Sequence, residues 1–168
     1  MSAIEETGTA GPAKSTRGGS RPSVGEATQA LMYFPHLPYG DAVFAEIVAG
    51  DPHPPTLIEA GVGHSEERVL FLRVVWVPGH PGLGAGVRAD GLTLRWSPVV
   101  GWSAHTLYDS RRLLIDELAA PTVLADAALH LCEHGLDCEW EPEDRLARWE
   151  FALELDIALV TFDERGPS

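Results

Sequence analysis

The run ERVLFLRVVWVP, residues 67–78, constrains the fold of this chain more than any other segment. It is dense in valine, leucine, phenylalanine and tryptophan and ends at a proline, as is typical of a β-strand. TLIEAGVG at 56–63 is a second candidate strand. In GVRADGLTLRWSP, 86–98, Ala-Asp-Gly signals a hairpin turn and LTLRW begins a strand, which VVGWSAHT at 99–106 continues or pairs with. The sequence therefore predicts an antiparallel sheet of three to five strands.

Four segments favour helices. SVGEATQALMYF at 23–34 opens with a capping box and ends before a proline. DAVFAEIVAG at 41–50 is predicted as a short helix, with a strand as the alternative. LYDSRRLLIDELAA at 107–120 has its leucines at helical spacing, and a proline starts the next helix, 121–134, which Gly135 ends. We expect these helices to pack on one face of the sheet, which makes the fold α+β.

The C-terminal region carries conflicting signals. GLDCEWEP, 135–142, alternates apolar and acidic residues like a short strand, and EPEDRLARW, 141–149, resembles the start of a helix. WEFALELDIALV, 149–160, places an apolar residue at every second position. Because period two fits that run better than 3.6, we predict a strand over about 149–161.

The composition is that of a soluble globular chain with an unstructured start. Of the 168 residues, 45% are hydrophobic and 22% charged, and the length suits one domain. Residues 1–22 are rich in Gly, Ser, Thr, Ala and Pro, which predicts a disordered tail ahead of one α+β domain at 23–168. The chain lacks a secretory signal and a membrane-length apolar run, so we expect a cytoplasmic protein whose two cysteines, Cys132 and Cys138, are free thiols.

The net charge of −13 is unevenly distributed. Residues 126–168 hold twelve acidic residues against three arginines, a net charge of −9. A surface with this much negative charge repels phosphate backbones and acidic membranes. We therefore do not expect the chain to bind nucleic acid through a basic surface. Solubility is the simplest interpretation. The alternatives are an acidic face that docks a basic partner and an acidic mimic of DNA.

The stretch HLCEHGLDC, residues 130–138, contains His130, Glu133 and His134 in the order H-x-x-E-H, the signature of inverted zinc peptidases. Histidines four residues apart lie one turn apart on the same side of a helix, so they could share a zinc ion. Glu133 could then activate the bound water. His130 and His134 are thus candidate zinc ligands, and Glu133 is a candidate catalytic residue.

The surroundings of this motif favour a different interpretation. Such sites need a third protein ligand, usually from a later helix, and only 34 residues follow His134. Both histidines fall in the last turn before Gly135, where the helix dipole favours positive groups by about 0.3–1 kcal/mol. Cys138 could loop back to give a His2Cys set, but the spacing matches no common zinc finger. We interpret the histidines as a helix end, with zinc as the alternative.

Two further patterns do not match the context that their chemistry requires. HPGLGAG, 80–86, is rich in glycine like a phosphate-binding loop, but it leads into a strand, so we interpret it as a mobile hairpin connection. Ser103, His105 and Asp109 are the residue types of a catalytic triad. Neighbours at i and i+2 on a strand rarely form a nucleophile–base pair, and no G-x-S-x-G turn is present, which favours surface polar residues.

Tryptophans and acidic residues together suggest an interaction surface. The chain has five tryptophans, and Trp96 and Trp102 lie on predicted strands. Core positions are their usual role, but if one face of the sheet stays uncovered they form an aromatic binding surface. The predicted surface also includes the acidic residues Glu139, Glu141, Glu143 and Asp144.

LTLRWSPVVGWSAHT at 92–106, followed by APTVLADAALHLCEHG at 120–135, resembles a small uncharacterised domain common in actinobacterial proteins. In that domain a strand of the form L-x-W precedes Gly-Trp and then a helix that opens with proline. The resemblance covers residues 92–135. It implies a small α+β domain without enzymatic activity, and it supplies no catalytic residues.

These observations predict a cytoplasmic, non-enzymatic accessory or regulatory protein without a cofactor. It would bind another protein through its acidic and aromatic surface, and the negative charge of that surface favours a basic partner. One alternative is a small metal-dependent hydrolase that holds zinc with His130 and His134 and uses Glu133. The other is an acidic DNA-mimic inhibitor, whose binding would fall steeply with salt.

Overall fold

The computed structural model describes residues 34–64 and 68–164. The predicted tail at 1–22 and, apart from its last residue, the predicted helix at 23–34 lie outside them. The described elements follow in the order α1 (Leu37–Gly50), β1 (Leu57–His64), β2 (Arg68–Trp76), β3 (Leu92–Ser97), β4 (Gly101–His105), β5 (Ser110–Arg112), α2 (Pro121–His134) and α3 (Ala152–Glu164). The strands form one five-stranded sheet in sequence order, with every neighbouring pair antiparallel. The predicted α+β class is confirmed.

The two faces of the sheet differ in burial because successive side chains of a strand point to opposite sides. In β2, Leu70, Leu72, Val74 and Trp76 are buried, whereas the residues between them are only half-buried. α1 approaches β2 so closely that a Cβ on Gly40 would lie 2.7 Å from Cδ2 of Leu72. Buried side chains of α1 and α2 join the same core. Among the described residues, the helices thus bury one face of the sheet and leave the other open.

The two helices that cover the sheet were predicted with different success. α2 runs from Pro121 to His134 as predicted, and Gly135 follows it with φ +80°. α1 begins at Leu37, four residues before the predicted start, with Pro38 in its first turn. A proline is tolerated there because the first amides of a helix have no intrahelical partner. The sequence pattern instead predicts that the helix starts at Asp41, as an acidic N-cap.

The glycine-rich connection at 80–86 packs against the end of α2. Gly84 N–H donates to the carbonyl of Cys132 at 2.7 Å. A Cβ on Gly84 would lie 2.0 Å from the carbonyl oxygen of Glu133, so only glycine fits. Leu83 and Val87 beside it are buried. The segment joins the antiparallel strands β2 and β3, so it is a hairpin connection as predicted. It is packed into the core, however, so the expectation that it is mobile is wrong.

The predicted helix at 107–120 is wrong. Residues 110–112 form β5, in which Ser110 pairs with His105 and Arg112 with Ser103. Leu107 and Leu114, which gave the helical spacing, are both exposed. Leu118, the third leucine of the predicted stripe, is buried, but so are Leu113 and Ala119, which do not belong to that stripe. Pairing with β4 outweighs the local helical preference here.

The C-terminal predictions are also wrong. The predicted strand at 149–161 is the helix α3, and the predicted strand at 135–142 has no strand partner among the described residues. In place of a strand partner, Arg111 donates to the carbonyls of Leu136 and Cys138 at 2.9 and 2.8 Å. The segment 141–149 does not start a helix.

Candidate functional site

The two tryptophans of the predicted surface belong to the core. Trp96 and Trp102 are each 1% exposed, because both point to the face that the helices cover. Trp96 Nε1 donates to the carbonyl of Glu117 at 2.7 Å, and Trp102 Nε1 donates to the Tyr39 hydroxyl at 2.9 Å. Tyr39 in turn donates to the carbonyl of Ala119 at 3.0 Å. The expectation of an aromatic binding surface at these two positions is wrong.

The acidic part of the predicted surface is accessible. Glu139, Glu141, Glu143 and Asp144 are all exposed in the segment between α2 and α3. Glu141 pairs with Arg145, which leaves most of the segment's negative charge uncompensated. Trp140 is half-buried beside them and donates to an Asp126 carboxylate oxygen at 2.9 Å. These acids form a solvated face that could attract a basic partner.

The H-x-x-E-H histidines lie together without a third ligand. The rings of His130 and His134 are 4.7 Å apart between centroids. Across residues 34–64 and 68–164, however, no three His, Cys, Asp or Glu side chains converge on a common metal position. Burial raises the pKa of Cys132 to about 12, so this side chain is a thiol in the metal-free protein. The described residues therefore do not fit a zinc site.

The end of α2 supports the alternative interpretation of this motif. Gly135 N–H donates to the carbonyl of Leu131 at 2.9 Å, and Gly84 N–H donates to the carbonyl of Cys132 at 2.7 Å. Two of the last carbonyls of the helix are thereby satisfied. His134 stands exposed at this end, and its nearest charged group is the Glu133 carboxylate at 3.6 Å. The arrangement is that of a helix terminus.

α3 presents apolar side chains on two of its sides. Ala152 and Leu155 face inward and are buried. Leu153, Ile157 and Val160 are 67%, 62% and 58% exposed. These three follow the spacing i, i+4 and i+7, so they lie along one side of the helix. We call Leu153, Ile157 and Val160 the outer stripe.

A groove of about 460 Å³ lies between the start of α1 and the start of α3. We call it the helix groove. Phe151, half exposed, and Pro38 are among its apolar residues, and Glu150 and Glu154 are the carboxylates among its lining residues. Arg148 anchors this end of α3 through ion pairs to Asp116 and Asp156, both at 2.9 Å. The groove and the outer stripe together give the C-terminal helix an exposed apolar surface with an acidic rim.

The open face of the sheet contains a second groove, of about 500 Å³. Ser103 and His105 line it, and the Ser103 hydroxyl is 2.9 Å from His105 Nε2. The strand spacing therefore does produce a Ser–His contact. Asp109 does not complete a triad in the described part of the chain, because its carboxylate accepts the Ser110 amide at 2.7 Å and makes no hydrogen bond or ion pair with His105. Burial, followed by the Arg95 charge, lowers the pKa of His105, so its imidazole is neutral at pH 7.

Comparison with known proteins gives no assignment: no family model, no curated protein and no solved structure matches the chain. The resemblance to the actinobacterial domain stays a prediction. Within the described ranges, every helix is too short or too polar to span a membrane. Sequence reasoning missed both the outer stripe and the groove on the sheet. An apolar period of three and four residues at 153–160 could have indicated the first.

Proposed function

We propose that this chain is a non-enzymatic accessory or regulatory protein of the cytoplasm that binds a basic partner protein through the outer stripe and the helix groove. The observation that carries the proposal is the double-sided apolar character of α3. A helix of a monomeric protein normally exposes polar residues on its outer side. Contiguous exposed apolar side chains with a polar rim are typical of protein-binding surfaces.

The dimensions of the surface suit an inserted side chain. A volume of about 460 Å³ can accept one or two large apolar side chains of a partner. Phe151 lines the helix groove and is half exposed, which makes it the natural centre of the contact in the groove. Aromatic residues at the centre of an interface contribute most to its affinity. An amphipathic helix that lays its apolar side along α3 is the binding mode that this shape favours.

The charge around the surface supports a basic partner. Glu150 and Glu154 line the helix groove, and the acids at 139–144 extend the negative region. Opposite charge on a partner would steer association and discriminate against acidic competitors. A second copy of the chain would bring the same acidic rim against its own, which disfavours self-association through this surface.

The two alternatives from the sequence gain less support. A zinc hydrolase needs a third ligand beside His130 and His134, and the described residues do not provide one. A DNA mimic would act through carboxylates alone, whereas the outer stripe is apolar. Salt dependence separates the two modes, because apolar contacts are not screened by salt. A mimic's affinity would fall by orders of magnitude with salt, while the proposed contact would keep most of its strength.

The test compares proteins captured from the native cell by three forms of the chain. The forms are the unaltered chain, Leu153→Ser/Ile157→Ser in the outer stripe, and Val99→Ser/Leu107→Ser at two other exposed apolar positions. Exposed substitutions of this kind change stability by only about 0.5 kcal/mol, so all three should fold. We expect one protein with a basic segment to be retained by the unaltered chain and the control and lost from the outer-stripe variant. Identical captures by all three forms would contradict the proposal.

A further inference from the structure

The open face of the sheet carries a row of cross-strand neighbours that joins all five strands. In register, Glu59 lies opposite Arg73, Arg73 opposite Arg95, Arg95 opposite Ser103, and Ser103 opposite Arg112. We call this set the arginine row. Like charges directly opposite each other in a sheet are destabilising. Arg73 and Arg95 therefore repel each other, and a negative group beside them would reduce that repulsion.

Charge compensation along the row is incomplete at one position. Arg73 forms an ion pair with Glu59, its neighbour on β1. Arg112 lies 3.8 Å from the carboxylate of Glu117. Among the described residues, Arg95 has no carboxylate within 4.0 Å, and it stands between these two pairs. The row therefore has one uncompensated positive charge, at its centre.

The groove of about 500 Å³ lies over this central arginine. Its polar lining consists of Glu59, Arg73, Arg95, Ser97, Ser103 and His105, and the Glu59 carboxylate is paired with Arg73. Its apolar lining includes Phe71, whose ring covers Gly61, where a Cβ would lie only 3.2 Å from Cζ. Hydroxyl, neutral imidazole and guanidinium groups therefore converge beside an aromatic ring.

We propose that the groove on the open sheet face binds a small organic monocarboxylate, with its carboxylate on the Arg95 guanidinium and its apolar body against Phe71 and Val100. Arginine presents a planar pair of donors that matches the two oxygens of a carboxylate. The hydroxyl of Ser103 and the imidazole of His105, which line the same groove, would hydrogen-bond to the ligand's carboxylate. A single negative charge balances the row, whereas a second one would meet the carboxylate of Glu59.

The test is a calorimetric titration of the full chain with a panel of alkyl and aryl carboxylic acids and with the uncharged amide of each acid. We expect an acid to bind roughly tenfold or more tightly than its amide, because only the acid gives Arg95 a charged partner. A phosphomonoester with the same body should bind more weakly than the acid, since Glu59 opposes its second charge.

Two variants locate the site. Arg95→Gln should weaken binding of the acid by roughly tenfold or more while the protein stays folded, because the side chain is exposed. The matched control Arg145→Gln removes an exposed arginine that pairs with Glu141 away from the groove, and it should bind the acid like the unaltered chain. Amide NMR signals of Phe71, Ser103 and His105 should shift during the titration of the unaltered chain.

Several outcomes would overturn the inference. These are no binding of any acid at millimolar concentration, equal binding of acids and amides, tighter binding of phosphomonoesters, or undiminished binding by a folded Arg95→Gln. If Arg95→Gln unfolds, the NMR titration of the unaltered chain decides instead. Shifts confined to residues outside the groove would then overturn the inference. The inference is independent of the protein-binding proposal, since Ile157→Ser should lose the protein partner and still bind the acid.

Discussion

His36 makes the stability of the fold sensitive to mild acid. Its side chain is 0% exposed and stacks on Trp96, with ring centroids 6.0 Å apart and an interplanar angle of 18°. Burial lowers the pKa of His36 to about 4, against weaker opposing contributions from the backbone at Phe71 and Gly61. In the unfolded chain the imidazole titrates near its ordinary value of 6.5. The folded state therefore favours the neutral form of the ring.

The magnitude follows from linkage between proton binding and folding. Below pH 6.5 the imidazole of His36 is protonated in the unfolded chain, whereas in the folded chain it stays neutral down to about pH 4. The free energy of unfolding therefore decreases as the pH falls from 6.5 to 4. With each pKa unit equivalent to 1.36 kcal/mol, the loss attributable to His36 is about 3 kcal/mol. That is a large part of the roughly 5–15 kcal/mol that stabilises a domain.

The assay is urea unfolding followed by tryptophan fluorescence between pH 7 and pH 4, for the unaltered chain, His36→Phe and His53→Phe. His36→Phe keeps an aromatic ring that cannot be protonated, so it should lose about 3 kcal/mol less than the unaltered chain across this range. His53 is exposed, and its replacement should leave the pH dependence as it was. Parallel curves for the unaltered chain and His36→Phe would refute the reasoning.

Two further substitutions test the packing that positions the open face. Tyr39→Phe removes the hydroxyl that joins the Trp102 indole to the Ala119 carbonyl, and leaving these buried groups without partners should cost about 1–3 kcal/mol in urea unfolding. An unchanged unfolding midpoint would show that water replaces the hydroxyl. Gly84→Ala places a methyl group 2.0 Å from the Glu133 carbonyl oxygen and should destabilise the fold by about 1–3 kcal/mol, measured in the same way. A fully stable Gly84→Ala would show that the loop does not pack on α2.

The elements that could be predicted from the sequence are those whose local signals agree with their final environment. β2 is rich in β-branched and aromatic residues and lies between β1 and β3 in the sheet, and α2 is bounded by Pro121 and Gly135. α3 was misread because alternating apolar residues also arise in a helix that is apolar on two sides. The period-two pattern at 149–161 reflects a buried side and an exposed one.

The candidate sites depend on the register between strands and on which face of the sheet the helices cover. Neither can be read from the sequence of a single strand. Arg73, Arg95 and Ser103 are far apart in sequence and become neighbours only through the register of β2, β3 and β4. The burial of Trp96 and Trp102 depends on which face the helices cover, and the alternation of the strands leaves both choices open. The net charge follows from the sequence, but the position of Arg95 between two compensated arginines of the row does not.

The protein-binding role of the outer stripe is tested most directly by photo-crosslinking in the native cell. A benzophenone amino acid replaces Ile157 in one form and Leu107 in the control, two leucine-sized positions that are 62% and 65% exposed. We predict that position 157, and not position 107, crosslinks to one other protein that carries a basic segment. Crosslinking of position 157 only to a second copy of the chain, or to the same proteins as position 107, would contradict the account.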